Sequence, residues 1–254
     1  MYRTSSEMSI LNLEMDVLFI SLLVLIAFMY ASVGHGGASG YIALMSIFSF
    51  PTAYIKPTGL ILNIFISGLS FWYFKKQNHF RPHLFYAFAI TSIPAAFVGG
   101  MLNIDSKMYK IILAVFLFIA LVRILGLPTT IKSKKLVFKK PIAWGIGLII
   151  GLFSGLIGIG GGIILSPIIL LLGWGNVKTA AAVSALFIFV NSIAGIVGYS
   201  YQNTVDTTSF YFVPVVFLGG LLGAYYGSSK GSNSTLSYIL SGVLMIASIK
   251  LLLY

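Results

Sequence analysis

One glycine-dense, uncharged block occurs twice in this chain, each time inside apolar sequence: Gly34-His35-Gly36-Gly37-Ala38-Ser39-Gly40 and Gly158-Ile159-Gly160-Gly161-Gly162. Beyond each block an asparagine interrupts an apolar run, Asn63 in Leu60-Ile61-Leu62-Asn63-Ile64 and Asn191 in Phe189-Val190-Asn191-Ser192. Later still, each copy places a proline ahead of paired glycines, Pro94 before Gly99-Gly100 and Pro214 before Gly219-Gly220. Glycine lacks a Cβ and accepts positive φ, so a dense cluster breaks a helix. A duplicated unit that keeps its breaks and polar side chains at matching places within apolar sequence is how many carriers build a central site.

The solvent of those apolar runs follows from composition. Charged residues make up 8% of the chain and hydrophobic ones 58%, whereas soluble domains carry about a quarter charged residues. The runs last roughly 16 to 24 residues without period-2 alternation, so they read as membrane helices and not barrel strands. The fold class expected is an all-α polytopic membrane protein. With 0 cysteines, disulfides and thiol-ligated metals are excluded. The residues before Val17 lack the basic start and small-residue cleavage site of a secretory signal, so the first apolar run reads as a retained helix.

Ten segments are expected: 17–33, 36–50, 53–74, 84–102, 107–126, 142–157, 160–173, 178–200, 209–228 and 234–252. The short ones, 36–50 and 160–173, directly follow the glycine blocks. Each is either a short or broken helix facing protein, or half of a re-entrant hairpin. The net charge of +11 concentrates between segments: Lys75, Lys76 and Arg81 with His79 and His83, then Lys132, Lys134, Lys135, Lys139 and Lys140. Such breaks mark the cytoplasmic side and attract anionic lipid, which argues against a nucleic-acid partner. Placing loops 75–83 and 127–140 in the cytoplasm puts both termini outside. Five segments per half is odd, so residues 1–126 and 141–254 form an inverted 5+5 repeat joined by the basic linker 127–140.

A helix break inside a membrane leaves backbone N–H and C=O groups unpaired, which is tolerated only against protein or a water-filled cavity. A new helix start there aims N–H groups and a positive dipole end into that space, suited to an anion. Gly34, His35, Gly36, Gly37 and Gly158, Gly160, Gly161, Gly162 are therefore candidate substrate-binding positions; close helix packing through small residues is the bland alternative. Asn63 and Asn191 either lock helices together or offer their amides to a ligand oxygen, with Ser67, Ser184 and Ser192 as weaker versions. His35 has Ile159 as its counterpart and is a titrating group, an anion donor or a structural histidine. Lys56 and Lys178 begin the third segment of each half and are candidates to steer anions, against plain snorkelling. No Asp or Glu falls deep in a segment, which disfavours a carboxylate relay and a metal cation as substrate. Neither a nucleotide loop nor a catalytic constellation is present, so no cofactor or resident metal and no enzyme activity is expected.

The second half, Gly151-Leu152-Phe153-Ser154-Gly155-Leu156-Ile157-Gly158-Ile159-Gly160-Gly161-Gly162, then Ser166-Pro167, Lys178-Thr179-Ala180 and Ala185 to Asn191, resembles the TauE/SafE sulfite exporter family. The first half is similar through Ala31-Ser32-Val33-Gly34-His35-Gly36-Gly37 and Asn63, departing at His35, Ala38 and Pro57 and in the shorter stretch before Lys56. The resemblance implies a carrier of a small sulfur-containing anion such as sulfite, thiosulfate or an organosulfonate, acting as an exporter. A proton-coupled carrier of another small solute or carboxylate, with His35 titrating, and an anion channel are the alternatives. Oligomeric state is left open, a homodimer included.

Overall fold

A computed structural model describes residues 5–48, 50–102, 138–205 and 207–236, together with 238, 239, 241, 242 and 245. The expected segment 107–126, most of 234–252 and linker residues 127–137 lie outside the described residues. Within them the chain is helical: α1 (Ser5–Ser32), α2 (Ala38–Ile47), α3 (Thr52–Lys76), α4 (Pro82–Met101), α5 (Lys140–Ile157), α6 (Gly162–Leu171), α7 (Val177–Ser200) and α8 (Val213–Tyr225). Among the described residues, five helical stretches are long and apolar enough to cross a membrane: Tyr54–Lys76, Pro82–Met101, Lys140–Ile157, Val177–Ser200 and Ser209–Lys230. The protein is thus an all-α, polytopic membrane protein.

Local chemistry sets the helix ends. Prolines open α4, α5 and α8, where the missing N–H removes nothing a first turn needs. Asn176 caps α7 by accepting from Thr179 N at 2.8 Å. Two expected segments match in extent and differ in helix detail. The apolar part of the first helix, Val17–Ser32, matches the expected 17–33, and the helix continues back to Ser5 because nothing in Ser5–Asp16 breaks it. The span expected at 209–228 is composite: a 3-10 turn over Thr207–Phe212 leads into α8 at Pro214, and a π turn over Tyr226–Lys230 ends it. The segments after the glycine blocks form the short helices α2 and α6, 10 residues each. At 1.5 Å per residue each is about 15 Å long, half of the roughly 30 Å hydrocarbon layer.

Packing between the two halves is reciprocal. α4 lies along α5, α1 lies along α8, and α3 packs against α7. Glycines make the first two contacts close. Gly147, Gly151 and Gly155 face the carbonyl oxygens of Phe88, Ser92 and Ala96, while Gly219, Gly223 and Gly227 face those of Val24, Phe28 and Ser32. In both series the numbers rise by four on each helix, so each pair runs parallel with one stripe against the other.

The two ends of the bundle differ in charge. His83 packs on Phe138 and Phe138 on Trp174, while His79 and Lys178 both reach the Ser228 carbonyl. These contacts bring Lys75, Lys76, Arg81, Lys139, Lys140, Lys178 and Lys230 to one end. At the opposite end, among the described residues, stands Lys56.

Candidate functional site

Each glycine block is a chain reversal in the interior. Gly34 and Gly37 in the first, and Gly158, Gly160 and Gly161 in the second, take positive φ between 75° and 95°. The tips point to opposite ends of the bundle: Gly34 abuts the Ala181 backbone near the start of α7, and Gly158 abuts Lys56 and Leu60 near the start of α3. From each tip the chain returns inward, Gly36 against Asn63 midway along α3 and Gly160 against Ile188 midway along α7. α2 and α6 therefore both start in the middle of the bundle, with their N-termini inward. That places the positive ends of two half-helices at the centre.

Asn63 ties the two breaks together. Its Oδ1 accepts from Ala38 N at 2.9 Å, capping α2, and its Nδ2 donates to Ile159 O at 3.0 Å and Ser192 Oγ at 3.4 Å. The start of α6 has no side-chain cap. Asn191 is not the positional counterpart of Asn63: it lies nearly one turn past Ile188, and its Nδ2 bonds back to Phe187 O at 2.8 Å. His35 crosses between the halves, its Nε2 lying 2.9 Å from Ser166 Oγ on α6, and Ser166 Oγ donates to Ser184 Oγ on α7 at 2.8 Å. His35, Asn63, Ser166, Ser184, Asn191 and Ser192 are all within 1% of full burial.

Four buried side-chain atoms among the described residues lack a hydrogen-bond partner: His35 Nδ1, Tyr41 Oη, Ser154 Oγ and Asn191 Oδ1. Their owners cluster at the breaks. Tyr41 lays its hydroxyl against Gly37, Ser154 packs on Gly161, and Asn191 adjoins Ser192, whose hydroxyl faces Gly160. An unpaired buried polar group costs about 1–3 kcal/mol, so each of the four calls for a reason other than packing.

The lysines occupy matching positions. Lys56 Nζ lies 3.5 Å from Gly100 O near the end of α4 and over the Tyr199 ring, 5.2 Å from its centroid. Lys178 Nζ lies 3.5 Å from Ser228 O, beyond the end of α8. Each half-buried ammonium thus sits by the carbonyl end of its own half's fourth helix, at opposite ends of the bundle. No group of three or more metal-ligating side chains occurs among the described residues.

Residues 19–251 match the sulfite exporter TauE/SafE family. The chain belongs to the TauE/SafE family. It is 35% identical over 234 residues to the probable membrane transporter protein y4hK of Sinorhizobium fredii, covering 89% of this chain and 94% of that one. It is 30% identical over 116 residues to the probable membrane transporter protein YunE of Bacillus subtilis, 45% of this chain and 42% of that one. The probable membrane transporter protein MamO of Magnetospirillum gryphiswaldense is 34% identical over 88 residues, 31% of this chain and 14% of its own. No solved structure matches the chain. As a TauE/SafE protein it is a transporter and not an enzyme, a small-solute carrier by class.

Within this TauE/SafE chain, Tyr41, Ser154 and Ser166 join the site without having been singled out as ligands from sequence. A signal for them exists. Tyr41 lies four residues after Gly37, Ser154 four before Gly158 and Ser166 four after Gly162, a spacing that keeps them on the face of the break.

Proposed function

We propose that this protein is a secondary carrier of a small sulfur-containing anion, either sulfite, thiosulfate or an organosulfonate, and that it works as an exporter. The observation that carries the reading is the pair of inward half-helix N-termini at the glycine breaks, with the unpartnered polar atoms of His35, Tyr41 and Ser154 beside those breaks. Gly34, His35, Gly36, Gly37, Asn63, Gly158, Gly160, Gly161, Gly162 and Asn191 form the substrate locus in this reading. Lys56 and Lys178 attract the anion at either mouth. The sulfur chemistry rests on family membership.

The mechanism is alternating access, one half rocking against the other. The halves are residues 1–126 and 141–254, an inverted 5+5 repeat joined by linker 127–140. Reciprocal packing of α4 on α5 and α1 on α8 supports that symmetry. The basic end of the bundle is cytoplasmic and in contact with anionic lipid headgroups, with loops 75–83 and 127–140 there and both termini outside. An inside-negative potential then favours exit of a monoanion by about 2.3 kcal/mol per 100 mV, enough to drive export without a buried carboxylate relay.

Counterflow in proteoliposomes tests this. Labelled sulfite outside should accumulate transiently in vesicles loaded with unlabelled sulfite or thiosulfate, and saturate. Flux that never saturates would make the protein a channel, and absence of exchange with every sulfur oxyanion would remove the substrate class.

A further inference from the structure

A buried hydrogen-bond chain runs from His35 through Ser166 to Ser184. Ser166 has one hydroxyl proton, and it is given to Ser184 Oγ at 2.8 Å. The 2.9 Å contact between Ser166 Oγ and His35 Nε2 must then be donated by the imidazole, because Ser166 has only lone pairs left to offer. In the neutral ring a proton on Nε2 leaves Nδ1 as a bare acceptor. That Nδ1 is buried without a partner.

Asn191 repeats the pattern. Its amide nitrogen is committed to Phe187 O at 2.8 Å, which orients the group and leaves Oδ1 as the buried unpartnered atom. The four unpartnered atoms therefore divide into two hydroxyls able to donate, Tyr41 and Ser154, and two groups able only to accept, His35 Nδ1 and Asn191 Oδ1. At the break beside α6, an oxyanion with nothing but lone pairs satisfies the uncapped helix start but repels His35 Nδ1. An anion with its own O–H or N–H satisfies both.

We infer that the site selects hydrogen-bearing oxyanions, hydrogen sulfite over the sulfite dianion, with His35 Nδ1 as the selecting acceptor and Ser166 and Ser184 as positioning residues that hold its tautomer. This inference rests on the sulfur-anion reading above. It adds Tyr41, Ser154, Ser166 and Ser184 to the substrate locus and assigns them separate tasks.

Sulfamate and methanesulfonate separate the possibilities, since they share charge and shape and differ by an amino donor in place of a methyl group. In wild-type proteoliposomes sulfamate should compete with labelled sulfite about tenfold more strongly than methanesulfonate, the discrimination expected of one buried hydrogen bond. His35→Phe and Ser166→Ala should bring the two competitors to within about twofold, and Ser166→Thr should restore the preference by returning the hydroxyl. Nitrogen-15 spectra of histidine-labelled protein give a readout independent of flux: His35 protonated on Nε2 in the wild type, and a tautomer mixture in Ser166→Ala. Equal competition in the wild type, a preference that survives both variants, or an Nδ1-protonated His35 would overturn the inference while leaving a sulfur-anion carrier in place. Absence of sulfite flux, with neither sulfonate bound, would overturn the carrier reading and the selectivity with it.

Discussion

Asn63 and Asn191 share a residue type, complete burial and an apolar helix, yet their amides are used differently. Every polar atom of the Asn63 amide is engaged, with Ala38 N, Ile159 O and Ser192 Oγ. Asn191 has one bond, to its own helix, and a bare oxygen. Asn63→Ala uncaps α2 and strands the Ile159 carbonyl, so it should cost about 1–2 kcal/mol, visible as a lower melting temperature in detergent. Asn191→Ala removes a group that ties no other helix. Its stability should change by less than about 0.5 kcal/mol while KM for the anion rises about tenfold, the loss of one buried hydrogen bond. A destabilised Asn191→Ala protein with unchanged KM would assign that side chain to packing. The sequence pairs these two by residue type. The fold pairs Asn63 with Ile188, each midway along its helix and against a break glycine, and no single-sequence pattern carries that offset.

The contacts between α4 and α5 and between α1 and α8 depend on backbone touching backbone. A Cβ at Gly155 would overlap the Ala96 carbonyl, whereas one at Gly145, on the same helix, would meet nothing within 4 Å. Gly155→Ala should therefore destabilise by about 1–3 kcal/mol through overpacking, and Gly145→Ala should stabilise by about 0.5–1 kcal/mol through helix propensity. Thermal unfolding of the two variants checks both signs. Between α3 and α4, His79 donates from Nε2 to Ser228 O at 3.1 Å. Burial lowers its pKa below the usual histidine value, a backbone bond to Ser228 opposes the shift, and Lys178 adds to it. A depressed folded-state pKa means that the folded protein binds the proton less readily than the unfolded chain. The stability from this group is complete above about pH 6.5 and is lost as pH falls through the lower folded value. Unfolding measured from pH 8 to 5 should show an acid-side loss that His79→Gln diminishes. Spans were legible from sequence because a lipid-exposed helix needs an unbroken apolar run. The composite end at Thr207–Lys230 was not, because 3-10 and π turns leave the apolar pattern unchanged.

At the scale of the whole molecule, the duplicated glycine blocks, the charge asymmetry between the ends and the reciprocal helix packing agree with one another. The blocks were visible in sequence as helix breaks. That each reversal brings its chain back to the centre, so that α2 and α6 start where Asn63 stands, required the fold. The residue chemistry at the breaks, two amides, several hydroxyls and one histidine, suits an anion, and the proposed export would run on the membrane potential. The measurement that bears most directly on this account is sulfite flux through the purified protein in liposomes, with a potassium–valinomycin potential set to either sign. Saturable flux is expected, reversing direction with the potential and falling in Asn191→Ala. Flux that ignores the sign of the potential, or none at either sign in folded protein, would contradict it.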